Sequence, residues 1–164
     1  MSIDTPRNQR PIAPANLADH LALRKDVLIV QWMAAARKSG SIPTEALTRL
    51  ELVDHVPKIF DATMDALRQR RNDEAMERVQ EATARHAIVR WVQKYDLRAV
   101  LREVSLLRAV FIAEMHAFAV ASPEDDAQTR LSDSLAIHRI LDDIVADATD
   151  TFLKLGVHEN GVSP

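Results

Sequence analysis

Three histidines, His55, His86 and His116, fall on apolar stripes of helical period. The plain chemistry is a core imidazole bonded to a carboxylate or a backbone carbonyl. Asp54 and Glu81 lie near enough in sequence to serve, and neutral imidazole tolerates partial burial. Two sharper chemistries use the same residue types. A lone histidine on a long helix, among aromatic and aliphatic neighbours, can ligate haem. His86 fits that best. A carboxylate-bridged di-metal bundle needs Glu on two helices and a Glu-x-x-His pair on each of two others. The chain offers Glu51 with Asp54 and His55, Glu81 with His86, Glu103, and Glu114 with His116, and none has that spacing. Glu51 and His55 can share a helix face. Glu81 and His86 diverge by about 140° at roughly 100° per residue. Glu114 and His116 point apart.

Other chemistries find less. Ser105 and Ser122 lack a nucleophile-elbow context, and no glycine loop can cradle a phosphate. His20, His138 and His158 are scattered, although His138 lies on the last helical stripe, where a dimer seam can use it. Trp91 and Tyr95 are spaced i,i+4 and can form one aromatic patch, either as packing or as the wall of a ligand pocket; Trp32 is a further amphipathic anchor. Arg68, Arg70 and Arg71 sit at a helix end, where cations complement the dipole.

The elements that must hold these residues all read as helices. Residues 1–14 carry three prolines among polar residues and read as a mobile tail. A first helix spans about 15–39, with Leu17, Leu21, Leu28, Trp32 and Ala35 in register and Gly40 as its stop. Thr44 caps a second, carrying Leu47, Leu50 and Val53, and Pro57 forces a break near His55. A third runs to about Arg70 along Ile59, Phe60, Thr63 and Leu67. Asn72 or Asp73 caps a fourth, along Val79, Ala82, His86 and Val89 to about Lys94. Asp96 caps a fifth, in which Leu97, Val104, Phe111 and Phe118 recur every seven residues beside Val100 and Leu107. Both faces of that helix are apolar, which predicts a place at the centre of the bundle. Ser122-Pro123-Glu124-Asp125 predicts the start of a sixth, ending at Gly156. Its stripe of Leu131, Leu135, Ile137, Ile140, Leu141, Ile144, Val145 and Phe152 is wide enough for a core and a dimer seam together.

Composition bounds the rest. The 164 residues are 47% hydrophobic and 27% charged, which suits one soluble domain with a real core. Three glycines, two of them in the last nine residues, starve the chain of strand turns. A net charge of −3 leaves no electrostatic footprint for nucleic acid. The absence of cysteine excludes disulfides, thiolate metal sites and cysteine nucleophiles. No signal peptide is legible, and the run from Val27 to Ala36 is too short to cross a bilayer.

Three blocks together resemble a known family, the RsbRD-type N-terminal sensor domain. Asp54-His55-Val56-Pro57 followed by Ile59, Phe60 and Asp61 resembles its "DHLP-x-L-L-D". His86 and Arg90 followed by Tyr95-Asp96-Leu97 resemble its "H-G-x-x-R…G-Y-x-L". Leu101-Arg102-Glu103 with Leu106-Leu107-Arg108 resembles its "L-L-x-E-Y-x-x-L-R". The likeness covers roughly residues 25–155. Ala87 and Lys94 stand where the family has glycine, and Val104-Ser105 where it has an aromatic. The resemblance implies a globin-like helical fold that lacks haem in its known stressosome members. It also implies a homodimer and a place before an output module of STAS or histidine-kinase type. With no such module after Leu155, the expectation is a stand-alone regulator or a sensor portion.

The reading is therefore an all-α, globin-like bundle of about six helices over residues 15–156. Residues 123–155 form its dimer and signalling helix, with the first helix as the other place for the dimer contact, and 157–164 a second mobile tail. It is expected to be cytoplasmic and non-enzymatic, without catalytic residues or metal, and to relay a ligand or partner signal to an output module. Its partners are a second copy and an output domain or partner protein, not nucleic acid or membrane. His55, His86, Trp91, Tyr95 and Glu103 are the candidates for an internal polar network or ligand site. No cofactor is expected. The first alternative is a haem sensor using His86, and the second a di-metal bundle.

Overall fold

Short side chains at the helix starts set the architecture. The computed structural model describes residues 16–40, 55–122 and 126–159. Five helices follow one another there: α1 Leu17–Lys38, α2 Val56–Arg68, α3 Asp73–Val92, α4 Leu97–Ala121 and α5 Ala127–Glu159. Asn16 accepts from the amide of Asp19 at 2.9 Å, Asn72 from Ala75 at 2.8 Å and Asp96 from Ala99 at 2.7 Å. Each bond satisfies one of the amides that a helix start leaves without an internal partner. Pro57 lies in the first turn of α2, where its missing N–H is not needed. The expected tail 1–14 and the helix from Thr44 through Leu47, Leu50 and Val53 lie outside the described residues.

Two boundaries differ from the sequence reading. The cap of α5 is Asp126, which accepts from the Thr129 amide at 2.8 Å and its hydroxyl at 2.7 Å. Ser122 instead closes α4, its amide donating to the Phe118 carbonyl at 2.9 Å. Gly156 does not end α5, which continues to Glu159, so residues 157–159 are helix rather than tail. A glycine stops a helix when it turns left-handed, as Gly40 does at φ +68° after α1, and Gly156 does not. Two helices end in the left-handed region without glycine: α2 through Arg70 and Arg71 (φ 50° and 56°) and α3 through Lys94 (φ 63°).

The helices form the expected all-α, globin-like bundle, with no strand among the described residues. α1 runs antiparallel to α4, so that Trp32 meets Glu103 while His20 and Arg24 meet Glu114. The main core joins Leu21, Leu28 and Trp32 of α1 with Phe60, Phe111 and the α5 row Ile137, Ile140, Leu141 and Ile144. The Phe60 and Phe111 rings meet at 4.8 Å between centroids. A smaller cluster of Ala87, Tyr95, Val100, Ala148 and Phe152 closes one end.

α4 is not central. It buries Val100, Val104, Leu107, Phe111 and Phe118, but Ala109, Ala113, Ala117 and Val120 face outward. Its outer face is apolar because it is alanine-rich, not because a neighbour covers it. By length and composition α4 is apolar enough to cross a membrane, with mean hydropathy 1.6. Yet it carries Glu103 and Glu114 on its inner face, each engaged by cations of the bundle. The α5 stripe also divides. Ile137 onward is core, whereas Leu131 and Leu135 are exposed.

Candidate functional site

The site is assembled from the end of α3, the turn after it and the second turn of α4. His86 and Arg90 are i,i+4 and share a face of α3. The left-handed Lys94 lets the chain reverse: its amide donates to the Trp91 carbonyl at 2.9 Å, and the Tyr95 amide to the Arg90 carbonyl at 2.9 Å. This hydrogen-bonded reversal satisfies carbonyls at the end of α3 and folds Tyr95 back beneath it. The guanidinium carbon of Arg90 then sits 4.9 Å from the Tyr95 ring centroid, a cation–π contact. Asp96 starts α4 at once, and Glu103 comes round on the same face as Val100, Val104 and Leu107.

Glu103 Oε2 accepts from Arg90 Nε at 2.9 Å and lies 3.1 Å from His86 Nε2. Glu103 and Arg90 are each only 1% exposed. Arg90 Nη1 donates to Gln93 at 2.7 Å, and the Trp32 indole donates to the Glu103 carbonyl at 3.0 Å. Three helices are thus tied at one carboxylate residue. Burying such a pair costs several kcal/mol of hydration per ion, roughly what the attraction returns. Geometry rather than net stability is therefore what the pair supplies. Burial pushes the Tyr95 hydroxyl up to about 12, with Arg90 pulling down and Glu103 pushing up as smaller effects.

The candidates named from sequence do not all meet. His86 and Glu103 touch, and Tyr95 joins through Arg90. Trp91 faces elsewhere, edge-on to Phe152 at 5.2 Å, and shares an open apolar groove with Tyr95, Leu153 and Val157. His55 occupies the N-cap position of α2, where its carbonyl accepts from Lys58 at 3.2 Å and Ile59 at 3.4 Å. Arg90 was missed as a site residue, although its i,i+4 spacing from His86 was visible. A second buried carboxylate was missed too. Glu114 accepts from Arg24 Nε at 3.0 Å and pairs with His20 Nε2 at 2.7 Å, and the His20 ring lies 4.9 Å from Phe118. Burial pushes the Glu114 carboxyl up, but the bonds from Arg24 and His20 outweigh it and hold it below its ordinary range. The sequence reading put His116 on the apolar stripe and left His20 scattered. The structure reverses this: His116 is exposed, because two residues of helix turn it away from Glu114.

A cavity of about 10 Å³ lies against the network. Every helix contributes to its wall: Trp32, Ile59, Thr83 and His86, Glu103 and Leu107, and Ile144. Room of that order admits about one water. A porphyrin does not fit beside His86, whose Nε2 already faces Glu103, so the residues as packed do not suit haem. Among the described residues no group of three or more His, Asp or Glu side chains converges as a metal site. Glu51 and Asp54 lie outside them.

Fold and site define a helical bundle with two buried carboxylates, each held by cations from neighbouring helices. The chain belongs to the family described as the RsbT co-antagonist protein rsbRD N-terminal domain, which matches residues 26–155. This is a family of sensor and regulatory domains of stressosome-type proteins. His86, Arg90, Tyr95 and Glu103, which carry the second and third blocks of the resemblance, are the residues that meet in the core. No characterised protein and no solved structure gives a significant match to the chain.

Proposed function

We propose that this chain is a non-enzymatic, cytoplasmic sensing module that works as a homodimer and passes a change in helix packing to an output module of STAS or histidine-kinase type. Membership of the regulatory family supports the class of role. The observation that carries the relay is the placement of α5. From Ile137 to Phe152 it packs on α2, α3 and α4, so it feels any shift at the Arg90–Glu103–His86 junction. A signal acts here by favouring one packing of α3 against α4 over another. The test compares hydrogen exchange along α5 in the wild type and in an Arg90→Met, Glu103→Leu double variant. The relay predicts altered protection along α5 as well as at α3 and α4; unchanged α5 protection would refute it.

The dimer reading is supported by an outward row of α1, where Leu23, Val27 and Val30 are exposed at i, i+4 and i+7. Leu23 is 71% exposed, an unusual position for leucine on the row of a solitary domain. A second copy meeting this row covers it by helix-to-helix packing. Val27→Glu should convert a dimer into a folded monomer in sedimentation equilibrium. A wild-type mass that stays monomeric at all concentrations removes the dimer from the reading.

A further inference from the structure

The Glu103 carboxylate is only half used. Oε2 takes both protein donors, Arg90 Nε and His86 Nε2. Oε1 is buried and has no hydrogen-bond partner among the described residues. The same holds for the hydroxyl of Thr83, one turn before His86 on α3 and 1% exposed. Both residues line the 10 Å³ cavity, whose remaining wall includes Val56, Ile59, Leu107 and Ile144. A buried carboxylate oxygen without a donor is among the costlier defects of a core, and such atoms are almost always satisfied in folded proteins.

We propose that this cavity is a binding site for a single water molecule, which donates one hydrogen to Glu103 Oε1 and bonds to the Thr83 hydroxyl with its other hydrogen or a lone pair. Size and chemistry select this ligand. The volume is about that of one water, and a bound water needs at least two polar partners, which the two oxygens supply. A metal cation is disfavoured: one carboxylate, already facing a guanidinium, and one hydroxyl fall short of the six or more oxygens that hard cations gather. An apolar gas would leave Oε1 unpaired. The water makes Thr83 a positioning residue of the network. Through it, the carboxylate that ties α3 to α4 gains a second anchor on α3, one turn from the first.

The test is a high-resolution crystal structure of the full chain and of Thr83→Val, which keeps the shape of the side chain and removes the hydroxyl. The proposal expects a density peak within hydrogen-bonding distance of both Glu103 Oε1 and Thr83 Oγ1, lost or displaced in Thr83→Val and retained in Thr83→Ser. A wild-type Oε1 taken by a protein donor, or a dry cavity, overturns it. A solution measurement covers the case in which Thr83→Val does not crystallise. Thr83→Val should lower the urea midpoint in the wild type but not in the Arg90→Met, Glu103→Leu background, where no carboxylate remains for the water. An equal loss in both backgrounds also overturns the proposal.

Discussion

Removing the Glu103 carboxylate takes away the buried oxygen that Arg90 Nε and His86 Nε2 share, and the size of that effect can be worked out. Arg90 is 1% exposed, so its guanidinium cannot turn to water without opening the end of α3. Gln93 Oε1 still accepts from its Nη1 at 2.7 Å. Breaking a buried pair from one side costs about 3–5 kcal/mol. A domain of this kind has about 5–15 kcal/mol in all. Glu103→Ala should therefore lose a third or more of a typical stability. With a urea dependence of about 2 kcal/mol per M, the unfolding midpoint falls by roughly 2 M. Replacing both partners by apolar side chains of similar size, Arg90→Met with Glu103→Leu, removes the two charges together and leaves His86 Nε2 without this carboxylate, about 1–3 kcal/mol. The double variant should then be clearly more stable than Glu103→Ala. Urea unfolding followed by helical circular dichroism reads all of these. The reasoning fails if Glu103→Ala costs less than about 1 kcal/mol. It fails equally if the double variant is no more stable than the single one at an unchanged slope.

Other expectations follow from single residues. Tyr95 is the only tyrosine in the chain, so phenolate absorbance reports it alone. It should titrate near 12 in the folded protein and near 10 after denaturation. Because the folded form holds its proton longer, stability is full below pH 10 and falls as pH rises from about 10 to 12, by on the order of 2 kcal/mol. A folded titration at 10 would show the hydroxyl to be solvated. Glu114 has the opposite sign. Its folded value lies below the ordinary 4.5, so its contribution is present above that pH and lost as pH falls through the folded value. Glu114→Gln should flatten the acid limb of stability, and an unchanged limb would show that the Arg24 and His20 bonds do not form. Lys94→Gly should be more stable than Lys94→Ala by about 0.5–1 kcal/mol, the left-handed penalty less the extra unfolded-state freedom of glycine. The glycine variant of a domain of this size should then melt about 1–4 °C above the alanine variant; an equal or lower melting temperature would show the left-handed turn to be unstrained. Protein made with added haem precursor should show no His86-dependent Soret band, and a band lost in His86→Ala would require the core around His86 to open.

The fold was legible where the signal was local. Asp96 caps its helix as read, and of Asn72 and Asp73 it is Asn72 that caps, because an Asx side chain reaches only the amides two and three residues on. Gly40 was legible for the same reason. The start of α5 was not, because Ser122-Pro123 and Asp126 both carry helix-start chemistry and only packing chooses between them. The outer face of α4 was misread because alanine counts as apolar in any periodic pattern, whether or not a neighbour covers it. The site was half legible. An acid in the apolar run of α4 marked Glu103, since a carboxylate there must find a donor. Which donor it finds depends on the register of α3 against α4, and that follows from the turn at Lys94 and Tyr95, not from spacing along either helix. Glu114 obeys the same logic. Its partners sit some ninety residues away on α1, beyond the reach of any sequence window.

That turn links the departures from the family pattern to the site. Where the family has glycine, this chain has Lys94 in the left-handed region, and the reversal still forms with both of its hydrogen bonds. A lysine there is strained by about 1–2 kcal/mol, so something in the native packing must offset it. One compensation lies on the other side of the turn. Tyr95 is buried against Arg90 only if the chain reverses at this residue, and its ring, Val100 and Phe152 form the small cluster at that end of the bundle. The strain and the buried ion pair therefore sit at one junction, between the same two helices. A junction that carries both is less strongly held than a relaxed, apolar one, which is the property a packing switch between α3 and α4 requires. Lys94→Gly and the Arg90–Glu103 replacements relieve these two loads separately. If the junction is the moving part, each should change hydrogen exchange at the end of α3 and the start of α4 by more than its effect on global stability accounts for.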